Sequence, residues 1–218
     1  MQKITKTTAA IMLMVAVFSP TECMYAQTYE DHDYVDLGLP SGTLWATCNV
    51  GANSPEEYGD YFAWGETAPK DVYNWSTYQY YDGSNLTKYT GSDGLTNLLP
   101  EDDAATANWG NGWRMPSDAE WQELLDNTTN IWTTQNGVNG RLFTANNGNS
   151  LFLPASGYHW GDDLRNIGST GYYWSSLLDM DNPGSAWYFY FISDGCYMSF
   201  YFRVYGQSVR AVRSTRQN

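Results

Sequence analysis

The residues equipped for chemistry in this chain are two histidines, scattered carboxylates, a few cysteines and a dense run of tyrosines near the C-terminus. His32 lies early in the chain and His159 has no nucleophile motif beside it, so neither suggests a nucleophile–base pair. Cys48 and Cys196 fall in no CxxC or Cys/His cluster, which argues against zinc. Cys48 is expected as a buried free thiol. Asp162-Asp163 and Asp179-Met180-Asp181-Asn182 carry oxygen ligands of the kind calcium takes, but neither fits an EF-hand loop, and they read as solvated loop carboxylates. Glycoside hydrolysis needs two facing carboxylates, and nothing marks such a pair. No catalytic residue, metal ligand or cofactor is therefore assigned.

The tyrosine run offers binding instead. Residues 171–213 read GYYWSSLLDMDNPGSAWYFYFISDGCYMSFYFRVYGQSVRAVR. Tyr and Trp supply large, rigid contact area at low entropic cost and carry a polar handle. Alternation along a strand must send one set of side chains inward. The pattern directs Trp187, Phe189, Phe191 and Met198 to the core. It directs Tyr188, Tyr190, Ile192, Tyr197, Ser199, Tyr201 and Arg203 outward, and a one-residue slip would reverse the two sets. With Asp194 in the turn and Tyr205 beyond the second strand, this outward set is the expected ligand-binding face.

The elements that must position this face follow from the rest of the chain. Residues 186–192 and 196–204 form a hairpin around Ser193-Asp194-Gly195, with Tyr172–Ser176 as a neighbouring strand and Ser208–Val212 closing the fold. Ser117 and Glu120 make a capping box ahead of Trp121, Leu124 and Leu125, which share one helix face. Arg114 just before it suits a structural salt bridge. Residues 100–108 suggest a second short helix, acidic in its first turn, and Ser54-Pro55 suggests a single helical turn. Residues 34–37 and 44–48 form a hairpin about Pro40-Ser41-Gly42, and 139–145 pairs with 150–157 about Asn146-Asn147-Gly148. Residues 66–99 read as an insertion-like loop region with short strands, and 157–171 as a polar loop. One α+β domain over residues 34–213 is expected, with loose tails at 27–33 and 214–218.

A net charge of −13 argues against a nucleic-acid partner, since phosphate binding needs a basic face. Met1–Ala26 reads as a signal peptide, with Lys3 and Lys6 ahead of an apolar stretch, Ile11–Phe18, too short to span a bilayer. The expected protein is exported, secreted or at the cell surface. Lipidation at Cys23 is the alternative, against which Glu22 is a poor preceding residue. No membrane-spanning segment is expected in the mature chain.

Several motifs resemble those of one family. VDLGLPSGTLWATCNVGA, EEYGDYFAWGET, GWRMPSDAEWQELL, LFLPASGY, YYWSS and GQSVRAVR resemble, in order, blocks of the major paralogous domain (FISUMP) of gut and rumen bacteria, over residues 34–213. The resemblance implies a C-type-lectin-like fold, related to the formylglycine-generating enzymes, with two short helices, mixed antiparallel strands and adjacent termini. The active-site cysteines of those enzymes have no match at Cys48 or Cys196, nor do the calcium tripeptides of C-type lectins appear. Some members resemble the variable proteins of diversity-generating retroelements, where adenine-directed mutagenesis turns AAY codons into NNY. Tyr188, Tyr190, Ile192, Gly195, Tyr197, Ser199, Phe200, Tyr201, Phe202, Val204 and Tyr205 are all types NNY encodes; Trp187, Met198 and Gln207 are not. The expectation is a non-enzymatic binding module for a surface protein or a glycan. A structural or adhesive subunit of a surface assembly is the first alternative, and an enzyme of the formylglycine-generating type the second.

Overall fold

The computed structural model describes residues 27–215; the expected leader, Met1–Ala26, and residues 216–218 lie outside them. The elements run β1 (Gln27–Tyr29), β2 (His32–Asp36), β3 (Thr43–Ala46), β4 (Tyr61–Phe62), α1 (Ala104–Trp109), α2 (Asp118–Asn127), β5 (Thr128–Gln135), β6 (Val138–Ala145), β7 (Ser150–Pro154), β8 (Tyr158–Trp160), β9 (Asp163–Arg165), β10 (Gly171–Leu178), β11 (Ser185–Ile192), β12 (Gly195–Phe202), β13 (Gln207–Ser208) and β14 (Val212–Ser214). The architecture is α+β. Its sheets have the orders β1-β2-β3-β14, β12-β11-β10-β13-β4, β5-β6-β7 and β8-β9, with β10–β13 the one parallel pairing among these strands.

The five-stranded sheet organises the rest. Successive residues of β10 and β11 point to opposite faces, and each face has its own core. Trp174, Leu178, Ala186 and Tyr188 join one apolar cluster; Tyr173, Phe189 and Phe191 join the other. Helix α2 pins the second face. Its capping box forms as expected: Ser117 Oγ accepts the Glu120 N–H at 3.2 Å, and Glu120 Oε2 accepts the Ser117 N–H at 2.9 Å. Arg114 braces the same carboxylate through two nitrogens, at 2.7 and 2.6 Å. The helix then lays Trp121 flat on Phe189, ring centroids 4.6 Å apart and 12° from parallel.

Two arginines tie strands to loops. Arg210, fully buried, donates to Asn49 Oδ1 at 2.9 Å, Ala46 O at 3.0 Å and Phe152 O at 3.2 Å. Burial pulls its pKa down from the usual arginine value. Arg203, also fully buried, donates to Tyr89 O and Lys88 O at 2.8 and 2.7 Å. From the helical turn Pro100–Asp102, the Asp102 carboxylate accepts from Tyr80, Tyr89 and Lys88 of that loop. Burial works against its ionisation, but these donors outweigh burial and hold its pKa below the usual range.

The structure corrects several expectations. Residues 27–33 are not a loose tail: β1 pairs with β2 through a turn whose Glu30 and Asp31 both have positive φ, and His32 stacks on Trp109 at 3.9 Å. Ser214, expected in the C-terminal tail, belongs to β14. The closing strand over Ser208–Val212 is two strands, because the chain leaves the five-stranded sheet after β13 and joins β3 as β14. Strand β5 was not expected; its polar sequence TTNIWTTQ is held by backbone pairing to β6 over its full length. Residues 157–171 contain the β8–β9 hairpin. Residues 66–99 hold one short helical turn, Trp75–Thr77, and isolated bridges rather than strands. Ser54 closes a turn with Glu57, not a helix.

Candidate functional site: a stack of tyrosines

Register builds the site. Tyr172 pairs with Tyr190, and Trp174 with Tyr188, across β10–β11. Tyr190 pairs with Tyr197, and Tyr188 with Ser199, across β11–β12. Paired residues share a face, so Tyr172, Tyr188, Tyr190 and Tyr197 fall side by side. Their rings lie nearly parallel: 17° between Tyr172 and Tyr190, 25° between Tyr172 and Tyr188, and 30° between Tyr190 and Tyr197, with centroids 5.2–6.2 Å apart. Tyr201 continues the face, 4.8 Å from Tyr205, and Tyr158 closes the other side, 4.8 Å from Tyr172. Trp160 borders it, 5.9 Å from Tyr205 and capped by the Arg165 guanidinium at 4.0 Å.

Of the residues expected outward, Tyr197 (46 % exposed), Tyr201 (37 %) and Asp194 are open to solvent, and Tyr190, Ile192 and Ser199 are half-buried. Three are corrected. Tyr188 is 7 % exposed, because it sits mid-sheet against Trp174 with Tyr172, Tyr190 and Tyr201 around it. Tyr205 is buried among Tyr158, Trp160, Tyr201 and Phe202. Arg203 points inward, because the chain turns after β12 and the loop carbonyls of Lys88 and Tyr89 need donors. On the opposite face Phe189 and Phe191 are fully buried as expected, but Trp187 and Met198 are only partly covered and Phe200 is half exposed. Trp121 of α2 caps Phe189, whereas the ring neighbour of Trp187 is Phe200.

Tyr158, Trp160 and Tyr172 belong to the face and were not expected there. The YYW alternation places Tyr172 on the face of Trp174, so that signal was present; the β8–β9 hairpin had none, being short and set among polar residues. No Lys, Arg, Asp or Glu belongs to this set of rings, and the Arg165 guanidinium stands at its border. Burial raises the Tyr188, Tyr172 and Tyr158 hydroxyls, and Tyr205 is pushed up to about 12 by burial first and by the neighbouring Tyr201 and Tyr158.

The other candidate groups are engaged in the scaffold. His159 lies between the Tyr61 and Tyr73 rings, and burial lowers its pKa. Cys48 and Cys196 are free thiols, both half-buried; burial pushes Cys196 up to about 11, away from thiolate reactivity. Asp163 pairs with Arg165 at 3.1 Å, and Asp179 accepts the Asp181 N–H at 3.1 Å. Among the described residues no three His, Cys, Asp or Glu side chains converge as a metal site, and no helix is long and apolar enough to cross a membrane.

Comparison with known proteins places part of the chain. No curated protein and no solved structure matches it. Residues 127–212 match a family model described as a domain of unknown function, DUF8237, a span that opens at the end of α2, takes in every strand of the tyrosine face and closes at the start of β14.

Proposed function

We propose that this chain is an exported, non-enzymatic binding module on a C-type-lectin-like fold, and that it takes a protein surface on its tyrosine stack. The observation that carries the reading is the near-parallel packing of Tyr172, Tyr188, Tyr190 and Tyr197, with Tyr197 and the neighbouring Tyr201 open to solvent. These rings set a broad apolar area and several hydroxyls side by side in one rigid patch. Such a patch suits the mixed apolar and polar texture of a protein epitope. An uncharged aromatic patch on a chain of net charge −13 is where a partner meets the least repulsion. The fold reading is supported by the two short helices and by β14 pairing with β3, which brings Val212–Ser214 beside Thr43–Trp45. Export is supported by the Lys3, Lys6 and Ile11–Phe18 pattern.

The test is binding of the chain to arrays of bacterial and host surface proteins and, in parallel, of glycans. Protein binding lost on Tyr190→Ala and Tyr201→Ala but kept on Ile131→Ala, an exposed apolar residue of a different sheet, is the expected result. Binding confined to glycans, or indifferent to the tyrosines, overturns the reading. Genetic diversification of the face is read at the locus: a near-copy of the segment encoding Tyr172–Arg213, mismatched only at template adenines and beside a reverse transcriptase, marks it, and its absence leaves a fixed face.

A further inference from the structure

Strand β12 is the outermost strand of its sheet. It pairs with β11 on one side and, among the described residues, with nothing on the other. Its eight residues, GCYMSFYF, include no charge and no proline, and the register with β11 is unbroken along the whole strand. Natural sheets blunt exposed edges with charges, prolines, bulges or short strands, and none of these devices is present here. The direction of the free backbone groups follows from the ladder. Arg203 N–H donates to Gly184 O at 3.1 Å, one step beyond the Ser185↔Phe202 pair. Antiparallel pairs alternate between hydrogen-bonded and non-hydrogen-bonded. Gly195, Tyr197, Ser199 and Tyr201 therefore bond to β11, and Cys196, Met198, Phe200 and Phe202 turn their backbone groups outward. The Phe202 carbonyl accepts from Tyr205. The amides and carbonyls of Cys196, Met198 and Phe200 remain open.

We propose that this edge pairs with the same edge of a second copy of the chain, antiparallel about a two-fold axis through Ser199. The strand matches itself. In that register the outward groups of Met198 and Phe200 meet each other, Cys196 lies opposite Phe202, and Tyr197 lies opposite Tyr201 on the tyrosine side. Charge favours a copy meeting here rather than elsewhere: two molecules of net charge −13 repel, and β12 puts no like charge opposite another. Pairing of this kind covers an edge and leaves both faces free, so the two tyrosine stacks would join into one band across the dimer. The inference stands independently of the ligand proposed for that face.

Sedimentation velocity of the whole chain over a concentration series tests it. The expected result is a reversible dimer. Phe200→Pro removes an outward N–H and no bond to β11; it should raise the dimer dissociation constant roughly tenfold or more with the circular dichroism spectrum of the folded chain kept. Ser199→Cys should form a covalent dimer on oxidation, because facing residues at a non-hydrogen-bonded antiparallel position sit at about 4.5 Å between Cα atoms, within disulfide reach. The wild type, with Cys48 and Cys196, supplies the baseline for that cross-link. Tyr190→Ala, on β11 away from the edge, should leave the dimer intact even where it abolishes ligand binding. A monomer at every concentration, a dimer indifferent to Phe200→Pro, or a Ser199→Cys chain that cross-links no more than the wild type overturns the proposal.

Discussion

Replacing Arg210 with methionine tests how the face is held. The guanidinium is fully buried, and its three bonds go to neutral acceptors: Asn49 Oδ1, Ala46 O and Phe152 O. These lie in the loop after β3, in β3 itself and in β7. Asn49 in turn donates to Tyr58 O at 2.8 Å, and the same pocket holds Tyr173, whose hydroxyl donates to Pro154 O at 2.7 Å. Tyr173 is the inward neighbour of Tyr172 on β10, so this network sets the sheet from behind. Methionine restores most of the apolar stem contact but none of the donors. Each buried acceptor left without a donor costs about 1 kcal/mol at the lower end of the usual range, so Arg210→Met should lose about 3 kcal/mol. For a domain of this size that is a melting-temperature drop of about 6–12 °C. Arg210→Lys keeps one donor site and should lose about 2 kcal/mol. Arg165→Met, at an exposed ion pair, should stay within about 0.5 kcal/mol of wild type. Urea unfolding followed by tryptophan fluorescence measures all three. An Arg210→Met chain within about 1 kcal/mol of wild type would refute the reasoning, since the carbonyls would then have found donors elsewhere.

Further predictions follow from the same geometry. Tyr188→Ala should cost about 3–5 kcal/mol as a large buried ring, while Tyr197→Ala costs under about 1 kcal/mol, and urea midpoints separate them. Gly171→Ala should destabilise the chain by about 1–3 kcal/mol or more, because a Cβ there would meet the Phe191 ring at 2.2 Å. Acid should weaken the fold through Glu120. Burial opposes its ionisation, but the Arg114 pair and the Ser117 and Thr43 donors outweigh burial and hold its pKa below the usual value. Its contribution is therefore complete above the unfolded value of about 4.3 and lost as pH falls through the folded one. Stability measured in urea from neutral pH to pH 3 should fall less steeply for Glu120→Gln than for wild type. Asp103 has the opposite sign: burial raises its pKa against the N–H bonds from Met115, Thr106 and Ala105, so Asp103→Asn should flatten a gain in stability that the wild type makes as pH falls through that raised value.

Local chemistry was legible in the sequence where neighbours in the chain are neighbours in space. The Ser117–Glu120 box, the hairpin about Pro40-Gly42 and the hairpin about Ser193-Asp194 satisfy their own backbone groups within a few residues, so pattern and outcome agree. The side chains misplaced on the face have partners far along the chain. Strand alternation gives Tyr188 and Tyr190 the same face, but only the mid-sheet position of Tyr188 beside Trp174 explains why the first is buried and the second half-open. Nothing near Arg203 announces that carbonyls at Lys88 and Tyr89 will lack donors. Strand β5 has too few apolar residues to signal itself, since its stability comes from the ladder with β6. The tyrosine face was half legible for this reason: its β11 and β12 members are set by alternation, whereas Tyr158 and Trp160 arrive on a separate hairpin.

The anchoring of residues 66–99 bears on how this chain meets a protease. So long a connection with little regular structure is ordinarily where a chain is nicked first. Here its two lysines are both engaged, Lys70 with Glu66 and Lys88 with Asp102, and the backbone at Lys88 and Tyr89 is clamped by Arg203 from the far end of the hairpin. Cleavage after Lys88 therefore requires Arg203 to let go, which opens the base of β12 with it. The loop and the end of the tyrosine face would melt as one cooperative unit, and the rate at which trypsin cuts at Lys88 becomes a clock for the opening of the face itself.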